Sequence, residues 1–269
     1  ESGMIEWLQL LYSICTSGSA PANWRVITIL ANVAIAIAYF WIPVVMAVVF
    51  TRWRQELPFP WLWAGFAIFI VACGLNYMGE IKHLGAPIPA EPSLFFKPPT
   101  TVLAPGATIP YPRLTNNLSH EAELCCVIKK ACRYVDEAQA LDYVLGYTCG
   151  NDIGMMDVLA HDNKLITRAK GFDMSSPLGP WLETDLDPAN LDIKGIVNGK
   201  VIQHSNTREM LFSAAFIISY ISQFMTLRAG DVVFTGTPEN GHYPVKIGDT
   251  MEVEIEGIGR LTTPVGPKE

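Results

Sequence analysis

From Val26 to Phe50 the chain runs without a charged residue, entered after Arg25 and left before Arg52 and Arg54. A membrane-spanning helix needs about 20 apolar residues in succession, and soluble folds seldom carry such a run. The run is too long for the core of a cleaved signal peptide, and no small-residue cleavage site follows it. A second apolar run, Trp61–Leu75, follows the loop Arg52–Pro60 and is short for a span, nearer a buried helix or an incomplete tilted crossing. Trp53, Trp61 and Trp63 stand where an interfacial aromatic belt would lie. A soluble hydrophobic hairpin is the competing reading of the same residues.

After Leu75 the texture changes. Pro87, Pro89, Pro92, Pro98 and Pro99 cluster in a stretch that reads as loop or extended chain. The division this predicts is a hydrophobic helical segment over 1–75 and a soluble domain over 76–269, long enough for a substantial core. A formal net charge of −7 without basic runs argues against nucleic acid as a partner. The six cysteines show no Cys-x-x-Cys spacing and read as buried free thiols in a reducing compartment.

Within the soluble part, strict alternation over Met251–Glu256 predicts a half-buried strand. Asn198-Gly199, between Ile193–Val197 and Lys200–His204, is a type I′ hairpin signal. Glu123–Val135 and Leu145–Asn151 read as strands around a short helix near Asp136–Tyr143, and Asp231–Thr235 as another strand. One clear helix is expected from Thr207 to Met225, with Asn206 as N-cap and Glu209 completing a capping box. Its body is apolar nearly all round, so it is expected to be buried, and many short strands with one buried helix make a β-rich α+β fold.

Glu121 and Glu123 are two apart, so in a strand they share a face. Paired carboxylates repel unless a cation lies between them, and hard oxygen donors suit Mg²⁺, Mn²⁺ or Ca²⁺. On its own the pattern is more often a solvated strand face. Asp152, closing an apolar segment within Gly150-Asn151-Asp152, is a natural third ligand or a turn residue. Lys170 is placed to stabilise an oxyanion or is a surface lysine. The turn Thr235-Gly236-Thr237-Pro238 offers amides and the Thr237 hydroxyl to a carboxylate, or simply reverses the chain. Glu80 and His83 share a helical face, where a carboxylate orients an imidazole that activates water, or form an ordinary surface pair. His120, His161, His204 and His242 lack zinc spacing and read as structural or surface residues.

Two resemblances follow. Ile35–Pro43 and Phe69–Gly74 resemble the membrane module of ethylene receptors, over about residues 5–74. Cys73 matches its copper-ligating Cys, but Tyr77 stands at the His position and Asn32 at an Asp position. A lone thiolate is a poor copper site, so the resemblance implies a membrane anchor and not ethylene or copper binding.

From about Gly74 to Val265, the motifs Gly74–Tyr77, Phe95–Thr100, Glu121–Leu124, Gly146–Thr148, Asn151-Asp152, Pro177–Pro180, Asn198-Gly199, Gly230-Asp231 and Thr235–Pro238 resemble, in order and spacing, the fumarylacetoacetate hydrolase family. That resemblance implies a mixed β-roll, a homodimer, and Mg²⁺, Mn²⁺ or Ca²⁺ held by Glu121, Glu123 and Asp152. It also implies an active-site lysine at Lys170 and substrate binding at Gly236 and Thr237. The implied activity is hydrolysis of a C–C bond in 1,3-diketo acids such as acylpyruvates or fumarylpyruvate, with Glu80 and His83 as the water-activating dyad on a lid. The alternatives are isomerisation or decarboxylation of dienoic acids on the same metal site, or a non-catalytic membrane sensor of a keto acid. Two departures stand out. Glu80 and His83 occur in the reverse of the family's order, which shifts the imidazole about 5 Å along a helix. Gly154 and Met156 replace the usual Ser and Arg, removing a guanidinium.

The Arg52–Arg54 loop is expected in the cytoplasm by the positive-inside rule. Two crossings would put the rest of the chain outside, and one crossing leaves the side open. The expectation taken forward is a membrane-associated protein, in contact with the bilayer through its N-terminal segment and with a cytoplasmic catalytic domain.

Overall fold

The computed structural model describes the backbone of Phe69–Ala72 and residues 89–269 apart from 164 and 240. The expected span Val26–Phe50 and the Glu80–His83 dyad lie outside the described residues, as do Asn32, Cys73 and Tyr77. Among the described residues no helix is long and apolar enough to cross a membrane. Phe69–Ala72, inside a run expected to be helical, is instead a strand, β1, paired in parallel with β12 (Val232–Phe234) and antiparallel with β2 (Leu94–Lys97). Its Phe-Ile-Val-Ala sequence is short, apolar and β-branched, which fits a buried strand as well as a lipid-facing helix.

The described domain is an α+β fold of three sheets. The seven-stranded sheet adds β6 (Ala122–Ile128), β7 (Val144–Asn151), β9 (Ser176–Glu183) and β3 (Val102–Leu103), in the order β2-β1-β12-β6-β7-β9-β3. The second contains β11 (Lys200–Asn206), β10 (Asp192–Val197), β14 (Thr250–Ile255), β15 (Gly259–Lys268) and β4 (Ile109–Tyr111), in that order. A small third sheet joins β13 (Tyr243–Val245), β5 (Leu118–His120) and β8 (Gly154–Met155).

Strand β6 is buried along its whole length. Leu124, Cys126 and Ile128 on one face join the main core with Ile217, Ile218 and Ile221 of helix α4 (Ala214–Phe224) and Val253 and Ile255 of β14. Cys125 and Val127 on the other face pack with Leu178, Val232 and Phe234. A strand buried on both faces carries an unbroken apolar run, so the carboxylate of Glu123 within it stands out. Cys125, Cys126, Cys132 and Cys149 are buried free thiols, as expected.

The β10–β11 hairpin turns through Asn198 (φ 51°) and Gly199 (φ 76°), the two positive φ values a type I′ turn requires. Strand β14 keeps its predicted alternation, with Met251, Val253 and Ile255 buried.

The long helix departs from expectation. Asn206 does accept a hydrogen bond from the Arg208 amide, but it opens only a 3₁₀ turn, Thr207–Glu209. Thr207 is pinned to the start of β10, its amide donating to the Leu191 carbonyl and its hydroxyl accepting from the Leu191 amide, each at 2.9 Å. Helix α4 therefore starts seven residues later, where the Ser213 hydroxyl accepts from the Phe216 amide at 3.0 Å. Nor is α4 buried all round, since Phe216 and Tyr220 are half-buried and Phe224 is exposed. Between β6 and β7, the expected strand Glu123–Val135 stops at Ile128. The expected helix near 136–143 is α1 (Glu137–Ala140) followed by a 3₁₀ turn.

Candidate metal centre

The antiparallel register of β6 and β7 builds the site. Ala122 pairs with Asn151 and Glu123 with Gly150, so Glu121, just before β6, faces Asp152, just after β7. The Asp152 amide donates to the Glu121 carbonyl at 3.0 Å. The two-residue period keeps Glu121 on the face of Glu123. One carboxylate oxygen from each of Glu121, Glu123 and Asp152 lies within 4.8 Å of the others, and each residue is at most 1% exposed. The three carboxylates expected to meet are thus brought together.

Lys170 ends helix α3 (Ile166–Lys170), which follows α2 (Met156–His161). Its Nζ lies 2.6 Å from Glu121 Oε1, 3.0 Å from Asp152 Oδ2 and 2.7 Å from the Asp152 carbonyl. A second lysine completes the cluster. Lys97, at the end of β2, places Nζ 2.5 Å from Asp152 Oδ1 and 3.0 Å from the Ser175 carbonyl, and it is 1% exposed. Sequence reasoning met Lys97 only as part of Phe95–Thr100 and gave it no role. The available signal was a lysine closing an apolar strand dipeptide immediately before Pro98-Pro99. In the structure Lys97 points inward, opposite to the exposed Phe96, and a buried charge needs a partner.

His242, read as a surface or structural residue, places Nε2 3.4 Å from Glu121 Oε1 while remaining partly exposed. His161 and His204 lie at the surface as expected. His120 is fully buried, and burial pushes its pKa down to about 3, so its imidazole is neutral. Ser119 holds its hydroxyl 3.2 Å from both Glu121 Oε1 and the Gly154 carbonyl. On the other side, the Gly236 amide donates to Glu123 Oε2 at 2.7 Å. Gly236 adopts φ 99°, a conformation open to glycine that turns its amide toward the carboxylate. Thr237 follows, fully buried.

Burial pushes the Glu123 carboxyl well above the usual carboxylate range, and the charges of Asp152 and Glu121 push it further. Burial acts the same way on Asp152, but the ammonium groups of Lys170 and Lys97 outweigh it and hold that carboxyl low. Burial lowers the Lys97 ammonium and Asp152 only partly offsets this. For Lys170 the same burial is outweighed by Asp152 and Glu121, so its pKa is raised and it stays charged.

The donor set fits a hard divalent cation. Glu123 Oε1 is buried without a hydrogen-bond partner, although a buried carboxylate oxygen ordinarily has one. Three carboxylate oxygens gathered within 4.8 Å of one another suit a single divalent cation, whose oxygen ligands stand about 2.0–2.6 Å away. The departures noted in the sequence also fall at the site. A Cβ on Gly154 would sit 3.0 Å from Lys170 Nζ and 2.7 Å from the Met156 methyl, so the bare glycine leaves that space to both side chains.

Known proteins resemble the chain in two parts. The family described as Fumarylacetoacetate (FAA) hydrolase C-terminal matches residues 69–266, and the Ethylene receptor 1-like N-terminal domain matches residues 23–89. The overlap contains β1, which the fold uses as a sheet strand. An uncharacterised protein of Archaeoglobus fulgidus is 47% identical over 192 residues, covering 71% of this chain and 76% of its own. Among solved structures, a 5-carboxymethyl-2-hydroxymuconate delta-isomerase from Mycobacterium smegmatis is 40% identical, with a TM-score of 0.70 over 75% of this chain and 79% of that one. A fumarylpyruvate hydrolase from Pseudomonas aeruginosa, solved with Mn²⁺ and pyruvate, is 31% identical, with a TM-score of 0.68 over 75% of this chain and 89% of that one. Matched from its first described strand nearly to its C-terminus, the chain belongs to the fumarylacetoacetate (FAA) hydrolase family.

Proposed function

We propose that the chain is a divalent-metal-dependent hydrolase that cleaves a C–C bond in 1,3-diketo acids of the acylpyruvate or fumarylpyruvate type. The observation that carries this reading is the buried cluster of Glu121, Glu123 and Asp152 with the free oxygen of Glu123. A cation bound there, Mg²⁺, Mn²⁺ or Ca²⁺, would polarise a chelating keto acid. With Glu123 ionised, as cation binding requires, three carboxylates beside two ammonium groups leave one surplus negative charge. A divalent cation converts that into one surplus positive charge, which a substrate carboxylate neutralises. Lys170 stays an ammonium, so its part is to stabilise negative charge developing on a substrate oxygen, not to remove a proton. Gly236 holds Glu123 in place, and Thr237 offers its hydroxyl to the substrate carboxylate. Glu80 and His83 are assigned the activation of water, with a homodimer as the working assembly.

Isomerisation of a dienoic acid on the same site is the second reading. It is favoured by the higher identity to the Mycobacterium smegmatis isomerase than to the Pseudomonas aeruginosa hydrolase, and it needs no water-activating dyad. The test is the ultraviolet absorbance of acetylpyruvate, fumarylpyruvate and a hydroxymuconate-type dienoate, with and without Mg²⁺ or Mn²⁺, and analysis of the products. Metal-dependent release of pyruvate supports hydrolysis. Conversion of a hydroxymuconate-type dienoate without loss of carbon replaces it with isomerisation.

A further inference from the structure

Gln203 lies in β11, in the second sheet, yet its amide reaches into the β6 register and the substrate turn at once. It is 1% exposed. Its Oε1 accepts from the Ala122 amide at 3.1 Å, between the two glutamates. Its Nε2 donates to Thr237 Oγ1 at 2.9 Å and to the Pro238 carbonyl at 3.4 Å. A backbone amide can only donate, so the end of the Gln203 side chain facing Ala122 must be the oxygen, and the end facing Thr237 must be the nitrogen. Thr237 Oγ1 then acts as acceptor toward Gln203, and its own proton is directed elsewhere. Among the described residues no protein group accepts that proton, although Thr237 is fully buried. A buried hydroxyl proton without an acceptor is costly, and a bound ligand would supply the acceptor.

The space for this amide is kept by Gly195, which pairs with Gln203 across the β10–β11 ladder. A Cβ on Gly195 would lie 2.4 Å from Gln203 Oε1 and 2.8 Å from His120 Nε2.

We infer that Gln203 is a positioning residue: by donating to Thr237 it fixes the threonine hydroxyl as a hydrogen-bond donor to an anionic oxygen of the substrate. This rests on the proposed reading of the centre as a keto-acid site. It adds a selection rule, because a hydroxyl fixed as a donor recognises a carboxylate or enolate oxygen and rejects a substrate group that can only donate.

The test uses the full chain loaded with Mn²⁺ and oxalate, a planar mimic of the enolate of a 2-keto acid, read by calorimetry. Gln203→Met is expected to weaken oxalate by about 10-fold or more, the range for a lost hydrogen bond to a charged group, while Mn²⁺ affinity stays within about 3-fold. Thr237→Val is expected to weaken oxalate similarly, and adding Gln203→Met to it should change little further, because the two act through one hydroxyl. Thr237→Ser, which keeps the hydroxyl, should recover most of the oxalate affinity that Thr237→Val loses. Gly195→Ala, which displaces the Gln203 amide, should reproduce the Gln203→Met defect and serves if that variant does not fold. Full additivity of the two losses, or oxalate affinity unchanged in Gln203→Met, overturns the inference while leaving the metal site standing. Failure of the Mn²⁺-loaded wild type to bind oxalate overturns it together with the reading it rests on.

Discussion

Lys97 Nζ stands 2.5 Å from Asp152 Oδ1, with both side chains closed to solvent. The pair ties the end of β2, next to β1, to the carboxylate at the end of β7. Removing one partner of a buried ion pair leaves an uncompensated charge and costs about 3–5 kcal/mol. Lys97→Met is therefore expected to lower unfolding free energy by about that amount in urea titration. Saturating Mn²⁺ should recover part of it, because the cation replaces the lost positive charge. Full stability without metal would contradict the buried pairing.

Burial and the charges of Asp152 and Glu121 disfavour the ionised form of Glu123. Glu123→Gln keeps the shape and removes the charge. Metal-free Glu123→Gln is expected to melt above the metal-free wild type, while Mn²⁺ affinity falls by about 100-fold or more, beyond the range for partners that only support a ligand. Differential scanning calorimetry with and without Mn²⁺ reads both. A metal-free variant less stable than wild type would mean that the carboxylate is satisfied within the fold.

The same raised pKa sets a pH dependence. Below the folded pKa Glu123 keeps its proton, and a cation must displace it, so Mn²⁺ binding should tighten as pH rises and release a proton. Stability of the metal-free form runs the other way. The unfolded carboxyl ionises first, near the usual carboxylate range, so the folded state holds the extra proton and loses its advantage as pH rises from there through the folded pKa. The stabilisation conferred by Mn²⁺ should therefore grow as pH rises above the ordinary carboxylate range toward the raised pKa of Glu123, as measured by Tm shift at fixed free metal. A shift independent of pH would place the ligand set elsewhere.

Gly150 sits across from Glu123 in the β6–β7 ladder. A Cβ there would come within 2.3 Å of Cys125 Sγ and 2.6 Å of the Phe234 ring. Gly150→Ala is expected to cost about 1–3 kcal/mol through overpacking. It should also weaken Mn²⁺, because the strand carrying Asp152 is pushed away from the strand carrying Glu123. Urea unfolding and Mn²⁺ titration of this variant check the two effects separately.

Local chemistry made much of this legible in the sequence. The Asn198-Gly199 turn and the alternation of β14 need only neighbours, and the two-residue spacing of Glu121 and Glu123 fixes a shared face before any partner strand is known. What the sequence hides is set at long range. Lys97 and Asp152 are 55 positions apart, and nothing near either announces the other. His242 meets Glu121 because β13 pairs with β5. The start of α4 was missed because a good capping pattern at Asn206 was overruled by the tie between Thr207 and Leu191. Strand β1 reads as part of a lipid-loving run because apolar content alone does not separate a sheet strand from a membrane helix.

The central claim is that Glu121, Glu123 and Asp152 hold one divalent cation. Its most direct test is calorimetric titration of Mn²⁺ and Mg²⁺ into the full chain beside Glu123→Ala. Saturable binding of one ion per chain with release of a proton, abolished in the variant, is the expected result. Absence of binding by the folded wild type, or binding undiminished by Glu123→Ala, would contradict it.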